Sequence, residues 1–223
     1  MEHVARAEVP NEDQPADRRR RARMVRDQLA DCPDPRVSEA LAAIPRHLFV
    51  PRELRAAAYD DTPLAIGAGQ TISQPRVVAA MLARLRIAPG DRVLDVGAGS
   101  GYTAALLAHL CGPTGTVRAL ERQGDLIAET ARRLAHCAPN VELVHADGIN
   151  AGAVNQPERF EVIHVGAACA CIPLQLINLL TTNGRLIAPV GPHDEAQRLL
   201  LVEGGRQQWL ETVWFVPGLP GTA

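Results

Sequence analysis

A glycine-rich turn directly after a short apolar segment is the part of this chain whose residue spacing is most informative about chemistry. The segment Arg92–Val96 has the apolar, β-branched character of a buried strand, and Gly97, Gly99 and Gly101 follow it at once. Glycines at alternate positions permit a tight turn and let the backbone approach a ligand that a Cβ would keep away. A dinucleotide fingerprint would place its third small residue at position 102, where this chain has Tyr102. The spacing therefore favours a nucleoside cofactor other than a dinucleotide.

Two acidic residues follow later segments of the same apolar type. Glu121 ends the run that begins at Thr116, and Asp147 with Gly148 follows the run Val141–His145. A carboxylate at the end of the second strand can accept hydrogen bonds from both hydroxyls of a ribose. A carboxylate after the third strand can accept one from an adenine amino group, while the glycine admits the ring. Either acid alone is compatible with an ordinary strand end, but their order after the glycine turn predicts a cofactor set.

Asp95 lies within the first strand-like segment, two residues before Gly97. Its carboxylate could hold the amides of the turn, or it could reach the ligand, and the sequence leaves both roles open. Either role places it at the carboxyl end of a strand, where parallel α/β sheets bind their ligands.

Strand-like and helix-like segments alternate from residue 75 onward. Predicted strands cover 92–96, 116–121, 141–146, 160–166 and 185–190, and predicted helices cover 75–86, 102–111, 124–137 and 173–181. This alternation predicts an α/β fold with a doubly wound, mostly parallel sheet. Two further runs, Arg198–Val202 and Trp209–Val216, flank Glu203-Gly204-Gly205-Arg206, which predicts that the sheet ends in an antiparallel hairpin.

The first 75 residues divide into a polar tail and a helical region. Residues 1–17 are polar, contain two prolines, and are predicted to form a disordered tail. Helices are predicted over 18–30 and Pro35–Ala43, and the whole region 18–75 is predicted to pack over the cofactor end of the sheet. The chain from 18 to 223 is then one domain, with a cofactor-binding core over 76–217.

Composition and charge narrow the class of protein. A formal net charge of −2 and an aromatic content of 3% disfavour nucleic-acid binding, and we interpret the basic cluster Arg18–Arg23 as a solvated helix turn. The five cysteines are scattered without a C-x-x-C pair, which predicts reduced thiols and no metal site. Since no signal-like segment and no apolar run of about 18 residues occurs, we expect a cytoplasmic protein with no membrane partner.

Several segments together resemble one enzyme family, the protein-L-isoaspartate O-methyltransferases, which are class I methyltransferases that use S-adenosylmethionine. The resemblance extends from about residue 20 to residue 217 and is most specific in Gly69-Gln70-Thr71-Ile72-Ser73-Gln74-Pro75. The glycine turn and Asp147-Gly148 also match. The other matching segments are Met24–Leu29, Ile44–Pro51, Ala58–Asp61, Pro189–Gly191 and Phe215–Pro217.

The resemblance implies a Rossmann-like, seven-stranded sheet and methyl transfer to the α-carboxylate of isoaspartyl residues in damaged proteins or peptides. Because a carboxylate is already ionised at neutral pH, this reaction needs no catalytic triad. We expect the protein to be a monomer. Ser73 matches the family's active-site serine, although a serine before Pro75 could serve only as a helix cap. The implied cofactor residues are Thr71, Ile72, Asp95, Gly97, Gly99, Ser100, Gly101, Glu121, Arg122, Asp147 and Gly148. The implied substrate-binding residues are Gln70, Ser73, Ala167 and Ala168.

Three departures from the family pattern concern the substrate side. Gly166–Cys171 stands where the family usually has Thr-Ala-Ala-Pro-Pro, which predicts a more mobile loop and an altered substrate wall. Ile149–Gly152 lacks the tryptophan that the family commonly has after the Asp-Gly pair, and Gly218-Leu219-Pro220 replaces the family's usual apolar C-terminal end. An alternative is therefore a relative that methylates one dedicated peptide. A second alternative, from another class, is a non-catalytic nucleic-acid-binding module that uses Arg18–Arg23.

Overall fold

The computed structural model describes residues 13–149 and 158–223 of the chain. The helices are α1 (Pro15–Gln28), α2 (Pro35–Ala43), α3 (Pro75–Leu85), α4 (Tyr102–Cys111), α5 (Gly124–Cys137) and α6 (Leu174–Asn178). A small hairpin consists of β1 (Leu64–Gly67) and β2 (Gln70–Ile72). The remaining strands are β3 (Arg92–Val96), β4 (Thr116–Glu121), β5 (Val141–His145), β6 (Phe160–Val165), β7 (Leu180–Val190), β8 (Gln197–Glu203) and β9 (Arg206–Val213).

The seven strands β3–β9 form one sheet in the order β5-β4-β3-β6-β7-β8-β9. All neighbouring pairs up to β7 are parallel, whereas β8 is antiparallel to both β7 and β9. The predicted fold class, a doubly wound and mostly parallel sheet with an antiparallel C-terminal hairpin, is confirmed. The strand order reverses at β3, because the chain moves to β4 and β5 on one side and to β6 on the other. This reversal opens a crevice at the carboxyl end of β3, where sheets of this kind bind ligands.

The residue pattern explains why these elements pack around β3. Val93 and Leu94 are fully buried, as expected for a strand covered on both faces. Helix α5 is amphipathic and buries Leu126, Thr130 and Leu134, which are spaced four residues apart and so share one face. The buried face of α5 packs against the glycine turn after β3 and so stabilises the turn.

The end of the sheet differs from the prediction at two boundaries. Strand β7 starts at Leu180, although residues 173–181 are predicted as a helix, and α6 is only five residues long. Pairing with β6 explains the early start of β7, because Leu180 lies opposite Phe160 in the sheet. Gly184 permits the close approach of the two strands, since a Cβ on it would lie 3.0 Å from the Phe160 carbonyl oxygen. Strand β9 starts and ends three residues earlier than predicted. The two glycines of the hairpin turn have positive φ, so pairing resumes directly at Arg206.

The N-terminal region reaches the cofactor end of the sheet through its hairpin, and its Arg46 and Phe49 pack on Tyr102 at the start of α4. Helix α1 begins at Pro15, and Arg21 anchors it with two hydrogen bonds to the Asp13 carboxylate at 2.9 and 3.0 Å. The Arg21 guanidinium lowers the pKa of Asp13 from its usual range. The predicted disordered tail is therefore too long by residues 13–17, and its residues 1–12 lie outside the described part of the chain. Among the described residues, no helix combines the length and apolar content needed to cross a bilayer.

Candidate cofactor and substrate site

A pocket at the carboxyl ends of β3 and β4 collects most of the predicted site residues. It is bounded by the glycine turn, by the loop after β5 and by the tip of the β1–β2 hairpin. The predicted residues that line it are Gln70, Thr71, Gly97, Gly99, Glu121, Arg122, Asp147, Gly148 and Ala167. The remaining predicted residues, which are Ile72, Ser73, Asp95, Ser100, Gly101 and Ala168, do not line it.

Glu121 holds the glycine turn in place through both of its carboxylate oxygens. One oxygen accepts a hydrogen bond from the Gly99 amide at 2.8 Å, and the other accepts one from the Gln123 amide at 2.7 Å. The Gly99 carbonyl oxygen in turn accepts a hydrogen bond from the Thr130 hydroxyl at 2.7 Å. Gly99 has a φ of 55°, which a residue with a Cβ rarely adopts. The carboxylate thus fixes the turn, and its further lone pairs can accept the hydroxyls of a ribose.

The three glycines of the motif have different roles. Gly97 and Gly99 line the pocket, whereas Gly101 begins α4. A Cβ on Gly101 would lie 3.0 Å from the Thr130 methyl group and 3.1 Å from Leu134. The third glycine is therefore required for packing against α5, and it does not line the pocket.

Asp95 makes no hydrogen bond to the amides of the glycine turn, and its side chain does not line the pocket. Its side chain is fully buried, and one carboxylate oxygen is 2.7 Å from the Nδ1 atom of His164, which is itself buried. The two residues are register partners on the parallel strands β3 and β6. The sequence analysis missed His164, because nothing local indicates that β6 lies beside β3. Asp95 is a residue that joins two central strands beneath the glycine turn.

Asp147 is bonded on both sides by backbone amides. One oxygen accepts a hydrogen bond from the Ile149 amide at 2.9 Å, and the other accepts one from the Gly221 amide at 2.6 Å. Gly148 follows with no room for a side chain, since a Cβ there would lie 2.7 Å from a methyl group of Val96. The loop after β5 therefore lies directly on the end of β3. Of the segment 149–152 that departs from the family pattern, residues 150–152 lie outside the described residues.

Ser73 does not cap helix α3, which removes its purely structural interpretation. Gln74 occupies the cap position without a side-chain hydrogen bond, and the amide of Arg76 donates instead to the Asp61 carboxylate at 3.1 Å. The half-buried Ser73 hydroxyl makes no hydrogen bond to any other described residue, so it can bond to a substrate. The side chain of its neighbour Ile72 is buried in the core and does not line the pocket.

The loop from Gly166 to Cys171 is more firmly attached than predicted. The Gly166 amide donates to the carbonyl oxygen of Val96 at 2.8 Å, and the Cys169 amide donates to that of Pro189 at 3.0 Å. Ala168 is fully buried, whereas Gly166 and Ala167 line the pocket. Burial raises the pKa of the Cys169 thiol to about 11. The expected mobility is thus wrong for residues 166–169, where neighbouring strand ends supply the hydrogen bonds.

The segment after β9 is the largest part of the pocket wall that the site prediction missed. Val216, Pro217, Gly218 and Leu219 line the pocket opposite the glycine turn. Only the Phe215-Val216-Pro217 motif, which resembles the family, could have indicated them, and its side chains have no reactive or hydrogen-bonding groups that would mark a site.

A larger groove of about 550 Å³ lies along the outer side of α3 and is lined by Gln74, Arg76, Leu199 and Thr212, among others. It contains neither the glycine turn nor the two acids, so we assign the cofactor site by its chemistry and not by its size. In the part of the chain that the structure describes, no three His, Cys, Asp or Glu side chains are grouped to hold a metal ion.

Comparisons with known proteins agree with this site. The family model for protein-L-isoaspartate(D-aspartate) O-methyltransferase matches residues 21–219. Protein-L-isoaspartate O-methyltransferase 2 of Anaeromyxobacter sp. (strain Fw109-5) is 45% identical over 206 residues, covering 88% of this chain and 82% of the relative. Protein-L-isoaspartate O-methyltransferase of Methanoregula boonei is 43% identical over 203 residues, covering 88% of this chain and 91% of the relative.

Solved structures show the same likeness. A Plasmodium falciparum protein, described as a protein-L-isoaspartate O-methyltransferase in complex with S-adenosyl-L-homocysteine, has a TM-score of 0.77 at 29% identity, covering 88% of this chain and 97% of that chain. A second protein-L-isoaspartate O-methyltransferase, at 23% identity, has a TM-score of 0.78 over 88% of this chain and 65% of that chain, which shows the shared fold. Because the family model and these relatives span nearly all of the described residues, the chain belongs to the protein-L-isoaspartate(D-aspartate) O-methyltransferase family.

Proposed function

We propose that this protein transfers a methyl group from S-adenosylmethionine to the α-carboxylate of L-isoaspartyl residues in damaged proteins or peptides. The observation that carries this proposal is one pocket in which the glycine turn, Glu121 and Asp147 meet the strand that leads to Ser73. Membership of the family supports the same reaction.

The residues of the pocket fit S-adenosylmethionine. Gly97 and Gly99 leave room beside the strand ends, Glu121 offers acceptors for ribose hydroxyls, and Asp147 offers an acceptor for an adenine amino group. Val96 and Leu120 supply an apolar floor. When bound, the cofactor supplies a methyl group on a sulfonium, which an oxygen nucleophile can displace.

The protein's own residues have a positioning task in this reaction. Because the substrate carboxylate is ionised at neutral pH, no side chain has to remove a proton from it. Rate enhancement then comes from holding the carboxylate oxygen in line with the methyl carbon and from excluding water. The Ser73 hydroxyl can donate a hydrogen bond to the carboxylate, and the adjacent hairpin residues Gln70 and Thr71 border the cofactor pocket.

Repair follows from the chemistry of the methyl ester. The next backbone nitrogen of the substrate attacks the ester carbonyl and expels methanol, which closes a succinimide. Hydrolysis of the succinimide then yields normal aspartate along with isoaspartate. These steps occur within the substrate, so the protein needs no residues for them.

The proposal includes a cytoplasmic, monomeric enzyme with no membrane or nucleic-acid partner. Four of the five arginines of the basic cluster are paired with carboxylates, since Arg18 and Arg21 contact Asp13, Arg20 contacts Asp17 and Arg23 contacts Asp27. Paired in this way, they offer little positive charge to phosphates, which does not favour the nucleic-acid-binding alternative.

The test is methyl transfer from labelled S-adenosylmethionine to synthetic peptides that differ only in isoaspartate or aspartate at one position. We expect turnover of several unrelated isoaspartyl peptides and none of their aspartyl counterparts. Turnover of neither, with the cofactor bound, would contradict general repair and favour the dedicated-peptide alternative. In that case the loop Gly166–Cys171, where the chain departs from the family, is the segment to exchange.

A further inference from the structure

The C-terminal residues 218–223, here called the strap, cross the mouth of the cofactor pocket. The Ala168 amide donates to the carbonyl oxygen of Val216 at 2.8 Å, and the Gly218 amide donates to the carbonyl oxygen of Ala168 at 2.7 Å. These bonds start the strap on the substrate side of the pocket. From there the chain passes over the pocket with Gly218 and Leu219 in its wall.

The far end of the strap docks on two residues of the proposed cofactor site. The Gly221 amide donates to the Asp147 carboxylate at 2.6 Å, and the Arg122 guanidinium donates to the Gly221 carbonyl oxygen at 2.8 Å. The Ala223 amide also donates to the carbonyl oxygen of Arg122 at 2.8 Å. The strap amide therefore bonds the same carboxylate that we assign to the adenine amino group.

The space left beneath the docked strap is too small for the cofactor. The pocket encloses about 50 Å³, whereas pockets for ligands of this size measure roughly 300 Å³ or more. Val96 and Leu120 are buried at the ends of strands in a packed sheet, so they cannot move away from the pocket to enlarge it. Leu219 is 43% exposed, and its segment is held mainly by the hydrogen bonds at its two ends. The strap can therefore move where Val96 and Leu120 cannot.

We propose that the strap and S-adenosylmethionine compete for Asp147, so that the strap closes the adenine end of the pocket and must undock before the cofactor can bind. This inference rests on the proposed function, since it concerns the cofactor of that reaction. The strap then sets the fraction of the protein that is competent to bind. The apparent dissociation constant equals the intrinsic one divided by that fraction.

Gly221 allows a matched pair of variants. Its φ is +80°, and a Cβ built on it meets no atom within 4 Å. In Gly221→Pro, the amide that bonds Asp147 is lost and φ is forced to about −65°, so the strap end cannot dock. In Gly221→Asn, the amide is kept and asparagine tolerates the positive φ, so docking is preserved. Both changes lie at an exposed chain segment, and the melting temperature of each variant verifies that the fold is intact.

The experiment measures S-adenosylhomocysteine binding to the full chain by calorimetry, together with amide hydrogen exchange of residues 219–223. We expect Gly221→Pro to bind about tenfold more tightly, as for the loss of one hydrogen bond that opposes binding, and Gly221→Asn to bind as wild type does. In the wild type, saturating ligand should speed amide exchange in the strap.

Three results would overturn the proposal. Equal binding by all three proteins would refute competition while leaving the proposed function intact. Weaker binding by Gly221→Pro, with ligand slowing exchange in the strap, would show that the strap packs on the ligand. No binding by any of the proteins would overturn both the strap and the proposed function.

Discussion

Replacing Glu121 by glutamine separates the two roles that the structure gives to this carboxylate. In the wild type, its two oxygens accept the amides of Gly99 and Gln123 at 2.8 and 2.7 Å. A glutamine has only one acceptor oxygen, and its NH₂ group would face the second amide. One charge-assisted hydrogen bond is lost and one buried N–H is left without an acceptor.

The expected loss is large because the site is 4% exposed and water cannot replace the missing acceptor. Hydrogen bonds to charged groups contribute about 1.5–3 kcal/mol, so we expect a loss of about 3 kcal/mol in the free energy of unfolding. For a chain of this length, that lowers the melting temperature by roughly 6–12 °C. Because the ribose also loses an acceptor and the turn is no longer fixed, affinity for S-adenosylhomocysteine should fall roughly 100-fold.

The assay pairs urea unfolding of the ligand-free protein with calorimetry of S-adenosylhomocysteine binding. Glu129→Gln is the matched control, since Glu129 is 45% exposed, pairs with the exposed Arg132 and the largely buried Arg133 on α5, and should lose less stability than Glu121→Gln. If Glu121→Gln unfolds at the wild-type urea concentration, the carboxylate does not hold the glycine turn. If stability falls while affinity is unchanged, the carboxylate does not bind the ribose.

Two further substitutions test the remaining site assignments. Ser73→Ala should lower kcat by about 10- to 100-fold through loss of a hydrogen bond to the substrate carboxylate. Its melting temperature should stay near that of wild type, because the hydroxyl makes no hydrogen bond to other described residues. A fall in melting temperature that parallels the loss of activity would show a structural role instead. Gly99→Val should abolish measurable cofactor binding, since it forces a branched side chain to a φ of 55° with its Cβ 3.2 Å from Ile66. Gly112→Val, at a φ of 69° with open space around it, also forces a branched side chain to a positive φ but lies away from the pocket, and it should bind the cofactor normally. Equal affinity in both variants would remove the glycine turn from the site.

Local patterns predicted most of the fold, and the exceptions have tertiary causes. Strands β3 to β6 and helices α4 and α5 follow the predicted boundaries closely, because apolar periodicity and helix start and stop signals are properties of a few consecutive residues. The start of β7 was wrong because pairing with β6 outweighs the helical tendency of residues near 180. The loop at 166–169 was predicted to be mobile because the loss of prolines is visible in the sequence, whereas the strand ends that bond it are not.

The cofactor class and the α/β architecture were determined by the sequence itself, since glycine spacing, strand-end acids and alternating periodicity are all local. What only the tertiary structure decided are contacts between residues far apart in the chain. Asp95 pairs with His164 across 69 positions, Asp61 caps α3 from 15 positions away, and Gly221 bonds Asp147 across 74. Such partners become neighbours only when the sheet is assembled, because strand order and register bring them together. The local pattern therefore predicts a nucleoside cofactor, the family resemblance implies S-adenosylmethionine, and the fold determines which carboxylates are available to hold it.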